Sequence, residues 1–156
     1  MDESVFTERA TIPYSRLAVA LGRNAKADLI RAVPLFARCS RGEIAQVASI
    51  ADEVDVKAGK ELIREGDRGR EFFILLEGTA DVRRRGRKVN SLAPNDFFGE
   101  IALVSRSPRT ATVTTTGPGR VLVITASAFR SLLEQSPRLQ SRVLEALADR
   151  LAADAL

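Results

Sequence analysis

The 156-residue chain has no histidine and no tryptophan, and only one cysteine, one methionine and one tyrosine. Without imidazole there is no Ser-His-Asp or Cys-His relay and no histidine-bound metal. Cys39 alone cannot form an internal disulfide or a structural zinc cluster. It stands in an apolar stretch and reads as a small buried hydrophobe, in keeping with a reducing compartment. Carboxylates or lysine can still run chemistry, but the expectation is a protein that is not an enzyme and needs no cofactor. No run approaches the ~18 apolar residues that span a bilayer. Met1-Asp2-Glu3-Ser4 carries acid where a secretory leader carries base, and no apolar run follows, so a cytoplasmic location is expected.

What is present is an ordinary globular balance, 45% hydrophobic and 28% charged, at the length of one domain. A chain of this length buries roughly 70% of its unfolded surface, enough for a core without staples. The net charge is +4, and its densest run is Arg83-Arg84-Arg85-Gly86-Arg87-Lys88. Such a run can serve as a nucleic-acid or anionic-lipid patch. However, Gly86 sits at its centre, strand-like segments flank it, and no aromatics are interleaved for base stacking. A solvated hairpin tip is the preferred reading, and no direct nucleic-acid contact is expected.

Along the chain, residues 1–23 show weak periodicity and read as an N-terminal arm, partly helical over Ser15 to Leu21. Residues 24–156 form the domain. A helical stretch over Ala25 to Ala32 is closed by Pro34. Ser40-Arg41-Gly42-Glu43 fits a capping box, and Ile44, Val47, Ala48 and Ala51 follow at helical spacing, which predicts a helix over Arg41 to Ala51. The period then changes. Strand-like runs over Glu53–Lys57, Glu61–Arg64, Phe72–Leu76, Ala80–Arg84, Lys88–Leu92, Thr110–Thr116 and Val121–Thr125 alternate with glycine turns, Gly66, Gly69 and Gly78 among them. The fold class expected is mainly β with flanking helices: an antiparallel β roll, jelly-roll-like (a double-stranded β-helix). After it, Ala126 to Gln135 reads as one helix, and Ser136-Pro137 opens a second. Leu139, Val143, Leu147 and Leu151 form one stripe on that helix, facing either the roll or a second copy of the chain in a homodimer.

One segment breaks the strand rhythm. Glu100 to Val104 reads as a single short helical turn inserted between strands. A helix start inside a barrel offers backbone N–H groups to an anion. Gly99 lets main chain approach a ligand where a Cβ would obstruct it, and Ala102 is small for the same reason. Arg109 supplies a planar fork suited to a phosphate, and Glu100 an acceptor suited to a hydroxyl. Pro108 fixes the chain direction before Arg109, and the amides of Thr110, Ala111 and Thr112 open a strand facing the same point. A plain ion pair of Glu100 with Arg109 across a bend is the alternative. Phe72, Phe73 and Phe98 read as core.

Phe98-Gly99-Glu100-Ile101-Ala102-Leu103-Val104 with Pro108-Arg109-Thr110-Ala111-Thr112-Val113 resembles the phosphate-binding cassette of the cyclic-nucleotide-binding family. That family includes regulatory subunits of cyclic-nucleotide-dependent kinases, nucleotide-gated channels and catabolite-activator-type regulators. The run from Glu65 to Gly78 is similar to its glycine signature, and the order of helices, roll, inserted turn and two final helices also matches, over about residues 33 to 152. The resemblance implies cAMP as ligand, with cGMP open at Thr110. Arg109 would pair with the phosphate and Glu100 with the ribose 2′-hydroxyl. The backbones of Gly99, Ile101, Ala102 and Ala111 would complete a cradle beside Phe98 and Thr110. A lid on the last helix would be formed by Arg150 with Leu147, with no aromatic cap after Phe129. The expected role is a sensor signalling through lid movement to a protein effector. The rival is the sensor fragment of a DNA-binding regulator, whose helix-turn-helix would begin where this chain stops.

Overall fold

The structure, a computed structural model, describes residues 24–155. The N-terminal arm and its expected helix over Ser15 to Leu21 lie outside the described residues. The chain opens with α1 (Asn24–Arg31), a 3-10 turn (Pro34–Phe36) and α2 (Arg41–Ser49). The capping box forms as the sequence suggests: the Ser40 N–H donates to Glu43 Oε1 at 2.7 Å, and the Glu43 N–H donates to Ser40 Oγ at 3.2 Å. Helix α2 ends two residues before the predicted Ala51.

Eight strands follow: β1 (Asp52–Val56), β2 (Glu61–Ile63), β3 (Glu71–Glu77), β4 (Ala80–Arg84), β5 (Arg87–Leu92), β6 (Phe97–Phe98), β7 (Thr112–Thr115) and β8 (Gly119–Thr125). They form two four-stranded sheets, ordered β1-β8-β3-β6 and β2-β7-β4-β5, with every pairing antiparallel. Two features differ from the expected strands. Phe97–Phe98 pairs with Ile74 and Phe73 as a short sixth strand. The strand expected from Thr110 starts at Thr112, because Arg109 spends its main-chain groups on the preceding loop: its N–H donates to the Asp67 carbonyl and its carbonyl accepts from Gly66. The basic run lies where a hairpin tip was expected. Arg85 and Gly86, with φ of 54° and 79°, form the two-residue turn that matches strand twist.

Strand β3 divides the core. Phe72, Ile74 and Leu76 point toward the helices and meet Phe36, Phe129, Leu139 and Val143. Phe36 makes edge-on ring contacts with Phe72 and Phe129 at 6.5 and 5.8 Å. On the other face, Phe73 and Leu75 fill the interior of the roll with Val56, Ile63, Val113 and Val121. A strand covered on both sides needs an unbroken apolar run in place of alternation, which is what Phe72 to Leu76 supplies.

The chain closes with α3 (Ala126–Gln135), capped by the Thr125 hydroxyl, and α4 (Pro137–Ala155). Leu139 and Val143 are buried in this chain's own core and Leu147 is half-buried against it, so that part of the stripe is not a free face for a homodimer. Leu151 stays exposed. Among the described residues no helix is long and apolar enough to cross a membrane.

Candidate functional site

Residues 99–111 carry the chain from β6 in the first sheet to β7 in the second. The entry is fixed by Phe98, which pairs with Phe73 across the ladder and stacks on it at 5.1 Å and 13°. The core reading of Phe98 therefore fits its position. Gly99 follows in the left-handed region (φ 80°) and begins a 3-10 turn over Glu100–Leu103. A Cβ on Gly99 would lie 2.7 Å from Arg109 Nη1 and 3.1 Å from the Glu71 carbonyl oxygen, so both its conformation and its surroundings demand glycine.

Within the turn, the Ala102 N–H donates to the Gly99 carbonyl at 3.1 Å. That amide, expected in the anion cradle, is taken by the turn itself. Ala102 and Leu103 are buried, Leu103 in the helical cluster, while Ile101 is exposed and Glu100 half-buried with its Oε2 shielded from solvent.

The return leg is pinned more tightly. Pro108 forms a bridge with Arg68, and Arg109 exchanges main-chain hydrogen bonds with Asp67 and Gly66 at 2.7 and 2.8 Å. The Thr112 hydroxyl accepts from the Glu65 N–H, and Arg84 of β4 reaches the Thr110 carbonyl at 3.1 Å. Thr110 is exposed and Ala111 half-buried.

These ties set the Arg109 guanidinium in place. Its Nη2 donates to the Glu71 carbonyl at 2.5 Å and its Nη1 to the Gly99 carbonyl at 3.3 Å. Arg109 thus lies against the peptide next to Glu100, which brings the two cassette residues to one place. Neutral main-chain oxygens hold it, and among the described residues no carboxylate lies within ion-pair distance of it. Burial lowers its pKa, with the nearby Glu71 charge opposing that shift.

Gly69 corrects the sequence reading. It was expected to be a turn glycine, but it is buried beneath this arginine. A Cβ there would sit 2.9 Å from Arg109 Cζ and 2.8 Å from Ala102 Cβ. Gly69 and the Glu71 carbonyl are the site elements that sequence reasoning missed. Of the expected lid residues, Leu147 packs against the helical core in this conformation, and the Arg150 side chain lies outside the described ones.

A sequence profile described as the cyclic nucleotide-binding domain matches residues 53–136, more than half of the chain. The chain belongs to this family. It is 40% identical over 110 residues to a cAMP-dependent protein kinase regulatory subunit of Mycosarcoma maydis, a match covering 65% of this chain and 21% of the relative. The chain thus spans about a fifth of that protein's length. Among solved structures, it is similar to the N-terminal domain of a transcriptional regulator from Streptomyces coelicolor A3(2), with a TM-score of 0.74 and 27% identity over 81% of this chain and 94% of the other. It is also similar to the regulatory domain of Toxoplasma gondii PKA crystallised with cAMP, with a TM-score of 0.64 and 28% identity over 70% of this chain and 44% of the other.

Proposed function

We propose that this domain is a cAMP receptor in which Arg109 binds the cyclic phosphate and Glu100 the ribose 2′-hydroxyl. The observation that carries the reading is the state of Arg109. A half-desolvated guanidinium held, among the described residues, by neutral carbonyls is a cation prepared for an anion. The backbones of Gly99, Ile101 and Ala111 line the approach, and Thr110 leaves cGMP as a competitor. The Leu147 and Arg150 region of α4 forms the lid, and its movement carries the signal to a protein effector. A ligand biases such a movement only through its different affinity for the two states. The site is that of a receptor and not of an enzyme, and the protein works in the cytoplasm.

The test is calorimetric titration of Arg109→Leu with cAMP. Loss of the charge-assisted bonds, each worth about 1.5–3 kcal/mol, is expected to weaken binding at least a hundredfold while the far-ultraviolet dichroism is kept. Unchanged affinity overturns the assignment. Titrating cAMP and cGMP side by side decides the base.

The Streptomyces neighbour favours a second reading, the sensor of a DNA-binding regulator. A gel shift on random DNA at low salt, with the full-length protein, separates the two.

A further inference from the structure

Beside the Arg109 site, a cavity of about 570 Å³ opens between the β2–β3 loop, the segment following the inserted turn, and the start of α3. Four arginines line it: Arg68 and Arg70 from the loop, Arg106 from the cassette, and Arg130 from α3. Elsewhere in the molecule, five arginines have carboxylates. Arg38 reaches Asp149, Arg64 reaches Glu61, Arg83 reaches Asp81, Arg120 reaches Asp55, and Arg142 reaches Glu145. Among the described residues, none of the four cavity arginines has a carboxylate within ion-pair distance. Glu71 is the one acidic residue on the wall, which leaves a formal excess of three positive charges. The N-terminal turn of α3, with Ser127, faces the same space and adds partial positive charge.

We propose that this cavity is a second ligand site, for a small anion carrying two or three linked phosphates. The volume is that of an ordinary small-molecule site. The number of forks argues against a single phosphate. Each guanidinium takes two oxygens when it binds in its preferred geometry, so four ask for about eight acceptors, more than one phosphate offers and close to what a di- or triphosphate presents. The cavity is separate from the cyclic-nucleotide site but shares a wall with it. Gly69 lines the cavity and lies under Arg109, and Glu71, also on the wall, gives its carbonyl to Arg109. This inference stands whether or not Arg109 binds a cyclic nucleotide.

Inorganic pyrophosphate is the probe, titrated by calorimetry at low salt into the wild-type chain and into Arg70→Gln and Arg130→Gln. Both residues are exposed, so the variants should fold, and their melting curves verify it. Pyrophosphate is expected to bind, orthophosphate at least about tenfold more weakly, and each variant to lose about tenfold in pyrophosphate affinity. Binding should persist in Arg109→Leu and in saturating cAMP. The proposal is overturned by no binding at millimolar pyrophosphate, by variants that bind as wild type does, or by displacement with cAMP, which would locate the anion at Arg109.

Discussion

The two sheets are built from the same number of strands but live in different surroundings. The β1-β8-β3-β6 sheet has helices packed on one face and the roll interior on the other, and β3 is buried from Phe72 through Leu76. The β2-β7-β4-β5 sheet covers the roll from one side only, and β5 is exposed at every residue except Leu92. Stability is therefore concentrated in the first sheet, and the second is a cover whose outer face is free to carry charge. The cassette is the strip that joins them.

The largest expected effect tests that division of labour. Phe72→Ala removes a ring that locks the first sheet to the helices and should cost about 3–5 kcal/mol, measured by urea unfolding. Val113→Ala in β7 removes less apolar volume from the roll and should cost about 1–3 kcal/mol. Equal losses would erase the distinction between the sheets.

Next comes the joint between them. Gly69→Ala forces its new methyl against Arg109 and Ala102. Ala102 can retreat only by shifting the backbone of the turn, so the flexible Arg109 side chain yields first and moves its guanidinium. The affinity for cAMP should therefore fall at least about tenfold with only a small change in melting temperature. Affinity equal to wild type would mean that the guanidinium tolerates displacement.

The smallest effect concerns the helical side. Burial pushes the Cys39 thiol up to about 11. From roughly pH 9, where the unfolded thiol ionises, up to about 11, the unfolded chain gives up a proton that the folded one keeps. Stability therefore falls as pH rises through that window and is unaffected below it. Cys39→Ala should flatten this alkaline slope in melts taken from pH 8 to 11, and an unaltered slope would assign it to other groups.

Much of this was legible in the residues, and what was not has physical causes. The capping box, the hairpin tip and the glycine-punctuated strand rhythm are local signals written in adjacent side chains, so they were readable. The cassette was readable because its residues are contiguous. Strand β6 was not, since two residues are too few to show a period. The role of Gly69 was hidden because turn glycines and close-approach glycines look alike until the arginine from forty residues later arrives above it. The Glu71 carbonyl was hidden more deeply, because a main-chain oxygen carries no side-chain signature. The α4 stripe showed an apolar face but not what covers it. The structure covers Leu139 and Val143 with the chain's own core and leaves Leu151 outside.

The buried run of β3 also matters before there is any structure to bury it. Phe72-Phe73-Ile74-Leu75-Leu76 is an uncharged, β-prone segment without proline, the kind that seeds aggregates when a nascent or unfolded chain exposes it. Glu71 and Glu77 bracket it with like charges that repel a second copy of the same strand. The residue whose carbonyl steadies Arg109 in the finished receptor is thus also one of two sentries that help keep the chain soluble while it folds.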